Sequence, residues 1–183
     1  MRIVGGRHRG RTIAAPRSRK IRPTADRVRE SVFNILSYGL GADALPISSA
    51  RVLDGFAGTG AMGLEALSRG ANHATFMDIN IASCRANIDE LGEAARCEVV
   101  RADCLCPPPA PAPTSLVFID PPYGDKCAMA ALMLLDEAGW IAAGAICVVE
   151  TGARDEISPT PEFIWLDDRR YGAVRIRFLR REG

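Results

Sequence analysis

Arg51-Val52-Leu53-Asp54-Gly55-Phe56-Ala57-Gly58-Thr59-Gly60-Ala61-Met62-Gly63 decides the fold of this 183-residue chain. An apolar run that ends in a carboxylate and meets glycines at 58, 60 and 63 reads as a buried strand turning sharply into a helix. The helix runs on through Leu64, Glu65, Ala66, Leu67 and Ser68 to Gly70, because glycine enters the left-handed region at a helix end without steric cost. Outward from this unit the same alternation repeats. Strands are predicted near 51–54, 73–78, 96–101, 115–120 and 145–150, helices near 60–69, 80–91 and 126–138, and two late strands near 162–167 and 173–180. Such alternation predicts a mainly parallel sheet covered on both faces, closed by an antiparallel C-terminal hairpin.

Upstream, Ile3-Val4 and Thr12-Ile13-Ala14 flank a Gly/Arg-rich turn, so residues 1–16 are expected to form a hairpin with arginines on its exposed face. A helix follows from Pro23, with Thr24 as cap, Asp26 in its first turn and Val28, Val32, Ile35 and Leu36 as its apolar stripe, ended by Gly39 and Gly41. The domain division read from this is a basic extension over 1–22 and an α/β domain over 23–183. Pro107-Pro108-Pro109-Ala110-Pro111-Ala112-Pro113 excludes a helix between the third and fourth strands and predicts an extended surface connection there.

In such sheets ligands bind beyond the carboxyl ends of the strands, and Asp54, Asp78, Asp103 and Asp120 all fall at or just past such ends. Gly58, Gly60 and Gly63 fit G-x-G-x-x-G, which nicotinamide and flavin enzymes also use. A carboxylate immediately before those glycines would repel a pyrophosphate. Asp54 therefore favours a cationic ligand, such as the ammonium end of S-adenosylmethionine. Asp78 is placed for ribose hydroxyls, or more plainly for helix capping beside Asn80. After the strand Ser115–Ile119 comes Asp120-Pro121-Pro122-Tyr123. Two prolines stiffen the chain and push the preceding residues into extended backbone. A carboxylate, a backbone carbonyl and an aromatic face then project from one strand end, a set suited to a planar group bearing an NH2. Its plainer reading is a rigid turn with an incidental Asp and a core Tyr.

The net charge of +1 conceals segregation. Residues 1–30 hold ten Lys or Arg against two acids, residues 31–168 seven against nineteen, and residues 169–183 six against one. Basic ends around an acidic body fit a polyanionic partner, or else tails folded onto that body. The six cysteines, at 84, 97, 104, 106, 127 and 147, follow no zinc spacing and are read as reduced thiols of a cytoplasmic protein, with no metal. No apolar run approaches a membrane span, and the arginine-rich start, lacking a hydrophobic segment, is not expected to act as a signal peptide.

These residues resemble the Rossmann-like S-adenosylmethionine-dependent methyltransferases that modify exocyclic amines. The start Met1–Arg11, the segment Arg22–Glu30, Phe33-Asn34-Ile35-Leu36, Gly63–Ala71 and Arg170-Tyr171-Gly172 look like the small bacterial 16S rRNA guanine-N2 methyltransferases, over nearly the whole chain. Gly55 stands where that family usually has an apolar residue, and Asp78 where Glu is common. The resemblance implies transfer of a methyl group from S-adenosylmethionine to the exocyclic N2 of a guanine in 16S rRNA, free or in the assembling small subunit, by a monomer. It implies Asp120, Pro121 and Tyr123 as catalytic, and Asp54, Phe56, Gly58, Gly60, Asp78, Asp103 and Cys104 as cofactor-binding. Arg7, Arg9, Arg11 and Arg22 are then the RNA-binding residues. Competing readings are a DNA adenine-N6 methyltransferase, disfavoured because only residues 1–50 remain for duplex recognition, and a glutamine methyltransferase, which typically has Asn at position 120. An RNA-binding module with a degenerate cofactor site and a nicotinamide dehydrogenase fit less well.

Overall fold

Residues 1–14, 23–122, 127–158 and 160–183 are described by the computed structural model. In chain order the helices and strands are α1 (Pro23–Asn34), β1 (Arg51–Gly55), α2 (Ala61–Ser68), β2 (His73–Asp78), α3 (Ala82–Leu91), β3 (Cys97–Arg101), β4 (Thr114–Ile119), α4 (Ala128–Glu137), β5 (Ile141–Gly152), β6 (Phe163–Tyr171) and β7 (Val174–Arg181). The strands make one sheet in the order β3-β2-β1-β4-β5-β7-β6. The pairs from β3 through to β5 are parallel, whereas β7 runs antiparallel to both β5 and β6. The expected Rossmann-like architecture is therefore present, including the antiparallel C-terminal hairpin. Strand order reverses between β1 and β4, and the crevice at such a switch point is where an open α/β sheet binds its ligand.

The central strands are apolar along their length because both faces are covered. Val52 and Phe118 point into a layer with Leu64, Leu67, Phe76, Val148 and Ile176, beneath α1, α2 and α3. Their neighbours Leu53 and Ile119 point the other way, into a layer with Val117, Leu132, Leu135, Val149 and Leu179 beneath α4. Gly63 belongs to the first layer: a methyl group there would sit 2.4 Å from the Phe76 ring, so only glycine lets α2 lie this close to β2.

Three details differ from the sequence reading or sharpen it. α1 starts at Pro23, which suits proline at a first helical position, and its regular winding stops at Asn34 before a π-helical turn over Ile35–Gly39. β5 begins at Ile141, four residues early, because Thr114 of β4 pairs with it across a register shift. The proline-rich connection is extended and strapped down: Trp140 Nε1 donates to the Pro108 carbonyl (2.8 Å) and Ala110 N–H to the Ala138 carbonyl (2.8 Å).

The N-terminal hairpin closes through an Arg2–Thr12 bridge and through Ile3 N–H to the Arg11 carbonyl (3.0 Å). Ile3 and Ile13, each 1% exposed, enter the core layer of α1 to α3. Fully buried Glu65 on α2 fastens the hairpin, accepting the N–H groups of Val4 and Gly5 (both 2.8 Å) while paired to Arg69 (2.7 Å) and Arg29 (3.4 Å). A buried carboxylate survives only when its lone pairs are met in this way. No helix among the described residues is long and apolar enough to cross a membrane.

Candidate active site

The site is built where β1, β2 and β4 end side by side. Gly55 is in register with Met77 on one side and Ile119 on the other, so Asp54, Asp78 and Asp120 stand at three adjacent strand ends. The bare α-carbon at 55 has a local cause, since a methyl group there would lie 3.0 Å from Ile119 Cδ1. Phe56 then adopts φ 56°, a left-handed conformation costly for a bulky residue. It is held there by its N–H to Cys104 Sγ (3.3 Å) and by the next N–H, Ala57 to the Met77 carbonyl (3.1 Å).

The amide donors of the glycine loop are taken from within. Gly58 N–H donates to Asp78 Oδ2 (2.8 Å), Gly60 N–H to the Ala57 carbonyl (2.7 Å) and Gly63 N–H to Asp54 Oδ2 (2.8 Å). Asp54, from the preceding strand, caps a helix whose own N-cap, Gly60, has no side chain. The helix terminus that a dinucleotide enzyme offers to pyrophosphate already holds a carboxylate here, with Asp78 beside it. An anion has no place in this loop, and a cation does.

Burial raises the Asp54 carboxyl to about 7; the negative charge of Asp78 adds to this, and the N–H groups of Gly63 and Met62 oppose it. A cationic group at this point would favour the ionised form and relieve its desolvation. Cys104 is 1% exposed, and burial, reinforced by Asp78, Asp103 and Asp54, pushes its thiol up to about 12. The three carboxylates thus share one neighbourhood, and the thiol stays neutral at physiological pH.

The three motif glycines divide by role. Gly58 has φ 55°, and a side chain there would meet nothing closer than the Phe56 carbonyl oxygen at 3.9 Å, so this glycine faces open space. A methyl group at Gly60 would lie 2.9 Å from Cys84 Sγ, so Gly60, like Gly63, has its bare side turned to the core. The residues therefore fit a small cationic cofactor laid over Gly58 between Asp54 and Asp78.

The other expected positions fall as follows. Asp78 does not cap α3, whose N-cap Ile81 has no side-chain cap bond; its Oδ1 accepts the Asn80 N–H (2.8 Å) and its Oδ2 braces the loop through the Gly58 N–H (2.8 Å). Asp103 is exposed at the rim, with Oδ1 accepting the Leu105 N–H (2.9 Å). Cys104 turns its sulfur inward, so its side chain supports the Phe56 backbone rather than facing the crevice. Asp120 is half-buried and Pro121 buried, directly after β4. Tyr123 and Arg22 lie outside the described residues. Arg7 and Arg11 are not brought to the site. Arg7 N–H donates to the Ser68 carbonyl (2.8 Å) and its guanidinium pairs with Glu93, while Arg11 reaches Glu90 (3.4 Å). Ser68 closes α2 at the end remote from the glycine loop.

Sequence reasoning passed over Glu65, Asn87 and Glu93. Glu65 had a signal, as the one acid in the apolar helix AMGLEALS. Asn87 had none, since its hairpin partner lies 73 positions away, and for Glu93 only Arg96, three positions on, was local, while Arg7 lies 86 positions away. Among the described residues no cluster of His, Cys, Asp and Glu could hold a metal ion.

Known proteins match this chain throughout. A family model described as conserved hypothetical protein 95 matches residues 1–180. The ribosomal RNA small subunit methyltransferase D of Escherichia coli (strain K12) is 37% identical, with 100% of this chain and 90% of that protein covered. Its namesake from Haemophilus influenzae is 35% identical, covering 97% and 92%. A solved Escherichia coli structure, a proposed methyltransferase, superposes with a TM-score of 0.83 at 34% identity, covering 100% of this chain and 98% of that one.

Proposed function

We propose a function from the premise that this chain belongs to the conserved hypothetical protein 95 family, together with the ribosomal RNA small subunit methyltransferases D. It is a methyltransferase whose cofactor is S-adenosylmethionine and whose substrate is ribosomal RNA. The acceptor is the exocyclic N2 amine of a guanine in the 16S RNA of the small subunit, and the reaction takes place in the cytoplasm. One observation carries the cofactor assignment: Asp54 and Asp78 occupy the loop amides that a pyrophosphate would need.

The sulfonium cofactor supplies an activated methyl group. Asp54 would hold its ammonium end, Asp78 its ribose hydroxyls and Asp103 its adenine, with Phe56 and Gly58 beside them. The remaining task belongs to Asp120 and Pro121. An exocyclic guanine amine is a poor nucleophile because its lone pair is delocalised into the ring. The Asp120 carboxylate and the Pro121 carbonyl would each accept a hydrogen bond from the amine, which pyramidalises the nitrogen, aims its lone pair and stabilises the positive charge that develops as the N–C bond forms and the S–C bond breaks; one amine proton then leaves to Asp120 or water. Tyr123 stacks on the base, which leaves its helical context to enter. Arg9, exposed at the hairpin turn, supplies basic surface for the phosphate backbone with Arg11 and Arg22, while Arg7 is engaged by Glu93.

Mass mapping of methylated nucleotides in 16S RNA, from cells with and without the protein, tests this reading. One N2-methylguanine should disappear with the protein, return with the wild-type chain and stay absent with Asp120→Ala. A mark unaffected by deletion, or one on adenine, would sink the guanine-N2 assignment.

A further inference from the structure

Thr59, between the two left-handed glycines of the loop, has its carbonyl held by a side chain with no place in the chemistry above. Asn87 of α3 is 2% exposed, and its Nδ2 donates to the Thr59 carbonyl at 2.9 Å. The same carboxamide meets the N-terminal hairpin. Its Oδ1 accepts the Ala14 N–H at 2.8 Å, and its Nδ2 also donates to the Ala14 carbonyl at 3.3 Å. A carboxamide can turn either way, but a backbone N–H can be met only by the oxygen. Ala14 therefore fixes which atom Asn87 shows to the loop, and that atom is the donor.

The consequence lies in the peptide between Thr59 and Gly60. Its carbonyl is held by Asn87, and its N–H by the Ala57 carbonyl at 2.7 Å. Gly58 at φ 55° and Gly60 at φ 77° flank Thr59, and glycine populates both signs of φ with similar ease. Without Asn87 the buried Thr59 carbonyl loses its partner and only the Gly60 N–H bond to Ala57 resists a flip of this peptide, which would cost the loop the arrangement in which Gly58 lies open and the amides are satisfied. We propose that Asn87 is a positioning residue for cofactor binding, and that the N-terminal hairpin sets it through Ala14. The hairpin then belongs to the cofactor site as much as to any RNA surface. This rests on the reading of the glycine loop as the cofactor site.

Calorimetry with S-adenosylhomocysteine tests it, backed by steady-state kinetics. Asn87→Asp has nearly the same volume and keeps an oxygen for the Ala14 N–H, but sets an acceptor against the Thr59 carbonyl. Its Kd for S-adenosylhomocysteine should rise at least tenfold and KM for S-adenosylmethionine in parallel, with kcat and RNA affinity within about threefold of wild type. A purely structural residue would instead lower the melting temperature and leave the Kd of the folded fraction unchanged, and that result overturns the proposal. If Asn87→Asp does not fold, Asn87→Ala decides by the same measure, since it removes the donor without adding a charge. Wild-type protein that fails to bind S-adenosylhomocysteine would sink the cofactor reading itself. Tight binding by wild type and by both variants would sink only the role of Asn87.

Discussion

Asp54 carries two demands that pull its proton in opposite directions. As the cap of α2 it accepts the Gly63 N–H and gains from ionisation, yet burial holds its carboxyl at about 7 against an ordinary 3.8. For an acid whose folded value is raised, the native state keeps a proton that the unfolded chain has already released between about pH 4 and pH 7. Stability contributed by this group is full below pH 4 and falls as pH rises to 7, by on the order of 4 kcal/mol in all. Asp54→Asn should remove that slope in urea titrations run from pH 4 to 8. Cofactor binding has the opposite sign, because an ammonium group pairs only with the ionised form. Wild-type affinity for S-adenosylhomocysteine should weaken by up to about tenfold per unit as pH drops below 7, and Asp54→Asn should bind weakly and without that dependence. A wild-type affinity flat from pH 5.5 to 8.5 would detach Asp54 from the cofactor. The sequence placed this carboxylate at the mouth of the loop. It did not disclose the helix-capping bond, because that depends on how closely α2 folds back over β1.

At the scale of elements, the strand–loop–helix unit was legible because each part leaves a local mark: an apolar run, an acid, spaced glycines, a stop at Gly70. The individual duties of those glycines were not legible, since G-x-G-x-x-G looks the same whether an absent side chain makes room for a ligand or for Phe76. The structure separates them, and substitution should too. Gly58→Ala fits sterically and pays only for its left-handed φ, about 1 kcal/mol, while putting a methyl group where the ligand meets backbone. Gly63→Ala drives a methyl group into the Phe76 ring and should cost about 1–3 kcal/mol as an overpacked core. Thermal melts and calorimetry should therefore diverge, with Gly58→Ala losing cofactor affinity at near-native stability and Gly63→Ala losing stability first. Equal stability losses with equal affinities would refute the division. The hairpin was legible as a pair of short strands around a turn. Its docking was not, because Glu65 and Asn87 meet it across 60 and 73 positions.

At the scale of the whole molecule, the segregated charge of the sequence is partly undone by the fold. Buried Glu93 gathers Arg7, His8 and Arg96, with His8 at 2.5 Å and Arg96 at 2.7 Å, and these partners hold its carboxyl below the usual range despite burial. At the other end Arg175 pairs with Asp168 (2.7 Å), Arg181 with Asp136 (3.1 Å) and Arg180 with Asp43. Basic termini folded onto an acidic body and basic termini offered to RNA are thus not exclusive, and the arginines have to be sorted one by one. Arg7 belongs with Glu93, whereas Arg9 is exposed at the hairpin turn and pairs with no carboxylate among the described residues. That turn sits by Ser68, a full eight-residue helix from the glycine loop, or about 12 Å at 1.5 Å per residue. A small amine could not touch both places, while a folded RNA could. Arg9→Ala should therefore lower the slope of log affinity against log salt by up to about one unit and leave the melting temperature unchanged. Arg7→Ala should do the reverse, costing about 1 kcal/mol of stability at a half-exposed ion pair while keeping the salt slope. If Arg7→Ala flattens the slope as much as Arg9→Ala does, Arg7 must leave Glu93 on binding. If neither changes it, RNA does not reach the hairpin turn, and the basic N-terminus serves the fold alone.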